Sequence, residues 1–267
     1  MEIRNGGFAM SGRVLFLHGG PGLHAGVERR WFHESMPVCW WDQPLPKEDD
    51  GSPFRTVVLA ATRKLSELCE EAGDPVQVIA HSFGGLVARE LARESPGLIG
   101  SLTLLAPTRN VYSALQRLMV RLPGWSTTLP SAAVAGRPLA PDPSREQFGE
   151  FVQQLLTVSD LFDYYWGAES GGARDLYKQM SGDLPQLHLE SFLAVAYDSL
   201  RASNAPFAAP CKVPVRIVAG RQDPLFDERD TFLWQAEFPD TELVWLDCGH
   251  WVQFEVLPRN WMPNGQS

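Results

Sequence analysis

Ser82 stands where a serine could act as a nucleophile. It follows the apolar run Val76-Gln77-Val78-Ile79 and precedes a helix-forming run, within Ala80-His81-Ser82-Phe83-Gly84-Gly85. This predicts a strand, a sharp turn and a helix with Ser82 at the apex. There the hydroxyl projects from the backbone and the amide dipoles of the helix point towards it. Backbone strain at the serine demands small neighbours, because larger side chains would collide. Ala80, Gly84 and Gly85 are small enough. Ala80 takes the first place of the pattern Gly-x-Ser-x-Gly, with a methyl group that the turn tolerates. Three further stretches fall at the ends of predicted strands. They are His18-Gly19-Gly20-Pro21-Gly22, Asp223 in Gly220-Arg221-Gln222-Asp223-Pro224, and His250 in Cys248-Gly249-His250-Trp251. In open parallel sheets functional groups collect beyond the carboxyl ends of strands, so these stretches are candidates for one site.

The elements that must position them alternate along the chain. Residues 13–17 read as a buried strand, 23–34 as a helix and 36–41 as a strand. Between 54 and 72, Val57, Val58, Ala61, Leu65 and Leu68 recur at helical spacing and Gly73 ends the run. The strand before Ser82 follows, then a helix to about residue 93 and a strand at 98–105. From 108 to 210 the pattern is helical with no convincing strand, interrupted at Pro123-Gly124, 136–143 and Gly171-Gly172. A strand at 213–220, a helix near 230–237, a strand at 243–246 and a helical turn near Phe254 complete the chain. The expected fold class is α/β, a mostly parallel twisted sheet flanked by helices. Its core is expected at 1–107 and 211–267, with an inserted helical cap at 108–210. Residues 1–12 leave room for one strand at most.

Composition removes several function classes. The 267 residues carry a formal net charge of −9. That charge is spread along the chain and excludes the clustered basic residues that nucleic acid or an anionic membrane would need. Cys39, Cys69, Cys211 and Cys248 are far apart with no C-x-x-C pair, so neither a zinc site nor a redox motif is expected. There is no run of about 18 apolar residues and no apolar signal-peptide core near the N-terminus, so the expected setting is the cytoplasm.

The four stretches, in this order, resemble the α/β-hydrolase superfamily with an inserted cap, over nearly the whole chain. The order Ser82, Asp223, His250 is the order of that superfamily and differs from other serine hydrolases. The resemblance implies that Ser82 is the nucleophile, His250 the general base and then acid, and Asp223 the carboxylate that orients it. A serine hydroxyl is too weak an acid to attack unaided, and the buried aspartate fixes the imidazole tautomer. The backbone N–H groups of Gly20 and Phe83 would form the oxyanion hole, and no cofactor or metal is implied. Asp227 and Asp247 are the acids that could replace Asp223, which is favoured by its place directly after a strand. His18 is expected to prop the glycine loop, His81 to point away from the site, and His24 and His33 to be structural or exposed. Cys248 has nothing upstream to activate it.

The cap region holds many aromatic residues, densest at Tyr164-Tyr165-Trp166. Some are expected to pack its helices and others to line an apolar pocket over Ser82. The reading is therefore a serine hydrolase acting on a hydrophobic or aromatic ester, thioester or lactone of small size. The glycine loop is also similar to those of proline iminopeptidases and of carbon–carbon bond hydrolases. For the first, Glu169 and Glu190 are the cap glutamates that could hold a substrate amine; for the second, Arg174 or Arg201 could hold a carboxylate. A third reading, of another class, is a non-catalytic receptor for a small molecule on the same fold.

Overall fold

The computed structural model describes residues 14–32, 36, 38–122 and 143–262. Six strands pair side by side: β1 (Val14–Leu17), β2 (Val38–Trp41), β3 (Val76–His81), β4 (Ile99–Leu105), β5 (Val215–Gly220) and β6 (Thr241–Leu246). Their order is β2-β1-β3-β4-β5-β6 and every pair is parallel. The strands lie where the apolar runs place them, because a parallel sheet covered on both faces needs continuous apolar sequence. All four residues of β1 are completely buried, and β3 is buried except at Gln77.

The helices are α1 (Gly26–Phe32), α2 (Pro53–Ala72), α3 (Gly84–Glu94), α4 (Val111–Arg121), α5 (Arg145–Leu156), α6 (Gly171–Ser181), α7 (Leu189–Asn204), α8 (Glu228–Glu237) and α9 (Val252–Glu255). The α2 stripe Val57, Val58, Ala61, Leu65 and Leu68 is buried as its spacing predicts. α1 is shorter than its sequence pattern, because Leu23 still belongs to the glycine loop and donates its N–H to Gly20 O at 3.3 Å. α8 starts early, at Glu228, because the Asp227 carboxylate accepts from Arg229 N and Asp230 N and caps it. Among the described residues, everything between β4 and β5 is helix, 3₁₀ turn or loop. No helix among them is long and apolar enough to cross a membrane. His33 and the strand expected within residues 1–12 lie outside the described residues.

The strand order sets the position of the site. From β1 the chain runs outwards to β2, then returns to β3 on the other side of β1 and continues to β4. The loops after β1 and β3 therefore part in opposite directions and leave a crevice between them. One carries His18–Gly22 and the other carries Ser82.

Behind the sheet lies a network of charges that the sequence pattern did not announce. Arg89 of α3 is wholly buried; its guanidinium grips the Glu237 carboxylate through Nε at 2.7 Å and Nη2 at 2.5 Å. Arg109 reaches the same carboxylate at 2.8 Å, and Glu90 receives Arg89 Nη1 at 2.6 Å. Both arginines also donate to carbonyls at the end of α7 and just beyond, those of Ala202, Ser203 and Ala205. One acid thus ties together α3, α7 and α8.

Candidate active site

The sharp turn after β3 is present. Ser82 has φ of 50°, a conformation that costs a non-glycine residue on the order of 1–3 kcal/mol and persists where the surroundings enforce it. They do so through Ser82 N donating to Leu105 O at 2.9 Å, and through Gly85 N and Thr108 N donating to Ser82 O at 2.9 and 3.0 Å. A Cβ at Gly84 would collide with the Leu17 carbonyl, so the helix after the turn can press on β1 only with glycine there.

The structure brings Ser82, His250 and Asp223 together from three strand ends. His250 Nε2 lies 2.9 Å from Ser82 Oγ, and His250 Nδ1 lies 2.8 Å from Asp223 Oδ2. Asp223 is buried, and its Oδ1 accepts from Leu225 N at 2.7 Å and Phe226 N at 3.3 Å, which fixes its plane. The rival acids are engaged elsewhere: Asp227 caps α8, and Asp247 accepts from Gln222 Nε2 at 2.7 Å. Gly20 and Phe83 border the same cavity as Ser82.

The supporting histidines divide. His18 donates from Nδ1 to Gly19 O at 2.8 Å, while its Nε2 accepts from Gln43 N at 3.1 Å. Gln43 returns a bond to His18 O at 2.9 Å. Burial drives the His18 pKa down to about 4, so it stays a neutral prop of the glycine loop. His24 bonds to Pro185 O at 3.0 Å and accepts from Gly26 N. His81 departs from expectation. Its ring does not point away but borders the cavity, 4.9 Å from the His250 ring and 5.1 Å from Trp251. Its Nε2 meets His250 O at 3.0 Å, and burial, then His250 itself, hold it well below the usual histidine range. A neutral His81 thus donates to the backbone of the residue that Ser82 faces.

Two residues of the site had no signal in the motif reading. Thr108 Oγ1 lies 3.3 Å from Ser82 Oγ; its clue was its place just past the end of β4, next to β3. Glu255 has none of that advantage. Its Oε2 accepts from Gly167 N at 2.7 Å, Ser170 Oγ at 2.5 Å and Gly249 N at 2.9 Å, and its Oε1 from Trp251 N at 3.1 Å. Beside it His250 N donates to Tyr165 O at 2.6 Å. A Cβ at Gly249 would stand 2.5 Å from Gly167 N, so glycine is required for this close approach. The histidine loop and residues 165–170 are thereby stitched into one unit.

A cavity of about 100 Å³ rises from Ser82. Apart from Ser82, His250, His81, Thr108 and Tyr165, the side chains that line it are apolar, including Leu115, Val152, Leu155, Leu161, Phe192 and Leu225. Of the aromatic cluster, Tyr165 borders this cavity with its ring 5.4 Å from that of His250. Trp166 borders an adjoining one, and Tyr164 borders neither. Phe148 instead packs among Tyr112 and Tyr197. Glu169, Glu190, Arg174 and Arg201 border neither cavity. Burial pushes the Cys248 thiol up to about 12, so it carries no thiolate near neutral pH. No group of three His, Cys, Asp or Glu suited to a metal occurs among the described residues.

The profile of the alpha/beta hydrolase fold family matches residues 12–256. No curated protein matches the chain by sequence. Among solved structures, it is similar to 2-hydroxy-6-oxo-6-phenylhexa-2,4-dienoate hydrolase from a Rhodococcus species, at 18% identity and a TM-score of 0.59, over 91% of this chain and 85% of that one. A proline iminopeptidase-related protein from Thermus thermophilus is 22% identical with a TM-score of 0.60, over 92% and 84%. An epoxide hydrolase from Bacillus megaterium is 15% identical with a TM-score of 0.59, over 91% and 88%. At such identities these likenesses speak for the fold alone.

Proposed function

We propose, for a chain that belongs to the alpha/beta hydrolase fold family, a serine hydrolase that cleaves esters of hydrophobic acyl groups through an acyl-enzyme on Ser82. The observation that carries this reading is the line from Ser82 Oγ through His250 to Asp223 at the foot of an apolar cavity. His250 Nε2 takes the hydroxyl proton as Ser82 Oγ bonds to the acyl carbon, and Asp223 stabilises the imidazolium. The Gly20 and Phe83 N–H groups receive the oxyanion. The tetrahedral carbon then expels the alcohol, which leaves with the proton held by His250. Water, deprotonated by His250, attacks the acyl-enzyme and releases the acid and Ser82. Thioesters and lactones fall within the same chemistry, and the segment between β4 and β5 acts as the cap that walls the acyl group.

The cavity sharpens the substrate. Its apolar walls favour a hydrophobic acyl group over a charged one. The iminopeptidase and carbon–carbon hydrolase readings lose support because their cap glutamates and arginines stand away from the cavity.

A fluorophosphonate probe is expected to label the protein and to leave Ser82→Ala unlabelled. Across p-nitrophenyl esters, kcat/KM is expected to rise roughly fourfold per methylene until the cavity is filled, since each buried CH₂ contributes about 0.8 kcal/mol. Equal labelling of Ser82→Ala, or a preference for short charged acyl groups, would overturn the reading. Glu255→Gln tests the stitching of the histidine loop. An amide there turns an NH₂ towards backbone N–H groups, shifting His250, and kcat is expected to fall about 10–100-fold with KM little changed.

A further inference from the structure

Glu28 is a buried acid that the chemistry above leaves unused. It sits in the first turn of α1, 4% exposed, and accepts from Gln253 Nε2 at 3.2 Å. It borders a second cavity, of about 270 Å³, with the aromatic residues Trp166, Tyr177 and Trp251 in its walls. Gly19, Leu23, Phe162, Leu187 and Trp251 border both cavities, so the two meet at the glycine loop beside Ser82. A substrate with its reacting carbon at Ser82 can therefore place one arm in each.

The charges around this second cavity are unbalanced. Asp163 and Lys178 both border it, but they are paired at 2.8 Å, and Arg174 lies 3.6 Å from the same aspartate. His24, also at the wall, has both ring nitrogens hydrogen-bonded. Arg29 is bound to Asp42 at 2.9 Å, and Tyr177 packs nearby as a neutral phenol. Among the described residues, none forms a salt bridge with Glu28. Burial raises its pKa to about 7, against the weaker pull of its own backbone N–H and of Gln253; Asp42 adds to the rise and Arg29 opposes it. A carboxylate held in this way is stabilised by a cation that enters the cavity, and aromatic walls favour one that is weakly hydrated.

We propose that the second cavity is the leaving-group subsite and takes an alcohol bearing an ammonium or quaternary ammonium group, held by Glu28 against the wall formed by the packed rings of Trp166, Tyr177 and Trp251. The assignment rests on Ser82 being the nucleophile with the acyl arm in the first cavity.

The test compares two butyrate esters of equal shape, 2-(trimethylammonio)ethyl and the neutral 3,3-dimethylbutyl. Their kcat/KM ratio cancels any pH dependence of the chemical step, which both share. At pH 8 the ratio is expected to favour the cationic ester about tenfold, to return towards one at pH 5.5 where Glu28 holds its proton, and to stay near one in Glu28→Gln at both pH values. A ratio near one for the unaltered protein at pH 8, or a cationic preference that persists in Glu28→Gln, overturns the proposal. Calorimetry with choline reads the subsite without turnover. Binding to Ser82→Ala, lost when Glu28→Gln is added, supports it, and absence of binding to Ser82→Ala overturns it. If choline binds but neither ester is hydrolysed, the Ser82 reading falls and the cation site stands.

Discussion

Asp223→Asn is expected to lower kcat by about 10⁴ while the protein still folds. The amide oxygen can take over the bonds from Leu225 N and Phe226 N, which keeps the side chain in its plane. The amide NH₂ then faces His250 Nδ1, where the carboxylate Oδ2 stood at 2.8 Å. A donor there forces the proton of the ring onto Nε2, the atom that must accept from Ser82. The wrong tautomer, together with an unstabilised imidazolium, accounts for a loss of that size. Steady-state hydrolysis of p-nitrophenyl butyrate and the rate of fluorophosphonate labelling both measure it. Asp247→Asn is the control; its carboxylate serves Gln222 and not the histidine, and its rate is expected to match that of the unaltered protein.

The largest loss of stability is expected at Glu237→Gln, by about 3–5 kcal/mol. The carboxylate is shared by Arg89, wholly buried, and Arg109, and an amide would leave Glu90 alone to face both, one positive charge in excess in a dry interior. Neither guanidinium can give up its proton as a buried lysine would, so no shift in ionisation relieves the cost. In a chain of this length the melting temperature should fall by on the order of 10 °C, measurable by calorimetry or far-UV circular dichroism. Because Arg89 rides on α3, whose first turn follows Ser82, the variant should also lose labelling at temperatures below its melting point. Arg93→Ala, which removes a half-exposed partner of Glu90 in the neighbouring turn, should cost about 1 kcal/mol or less.

How much of this was legible from the sequence depended on whether the cause was local. Parallel strands buried on both faces must be apolar throughout, so runs such as Val14–Leu17 and Val215–Gly220 declared themselves, and the loops after them pointed to one end of the sheet. The meeting of Ser82, Asp223 and His250 was legible for the same reason, since each stands within four residues of the end of a strand. Thr108 was passed over because it was counted as the first residue of the cap, though it stands beside Ser82. The His81 ring was misplaced because a sharp turn breaks the simple alternation of faces that a strand would give it. Glu255 and Glu237 could not be seen. Their most distant donors, Gly167 and Arg89, lie 88 and 148 residues away, and an acid near the end of a short helix reads as an ordinary solvated charge until the fold closes over it.

The stitching of residues 165–170 to the histidine loop decides where the door to the cavity can be. Parting Gly167 and Ser170 from Glu255, and Tyr165 from His250, would break two bonds to a carboxylate and one to the backbone of His250. At roughly 1–3 kcal/mol each, this is a large share of the whole stability of a typical fold. His188 is also fastened, with its N–H bonded to Gly22 O at 2.9 Å. Leu156 and Phe162 border the cavity and are 38% and 47% exposed, so the cavity approaches the surface beside the end of α5. On the reading proposed above, an acyl chain would enter there with the bonds that hold the His250 loop intact.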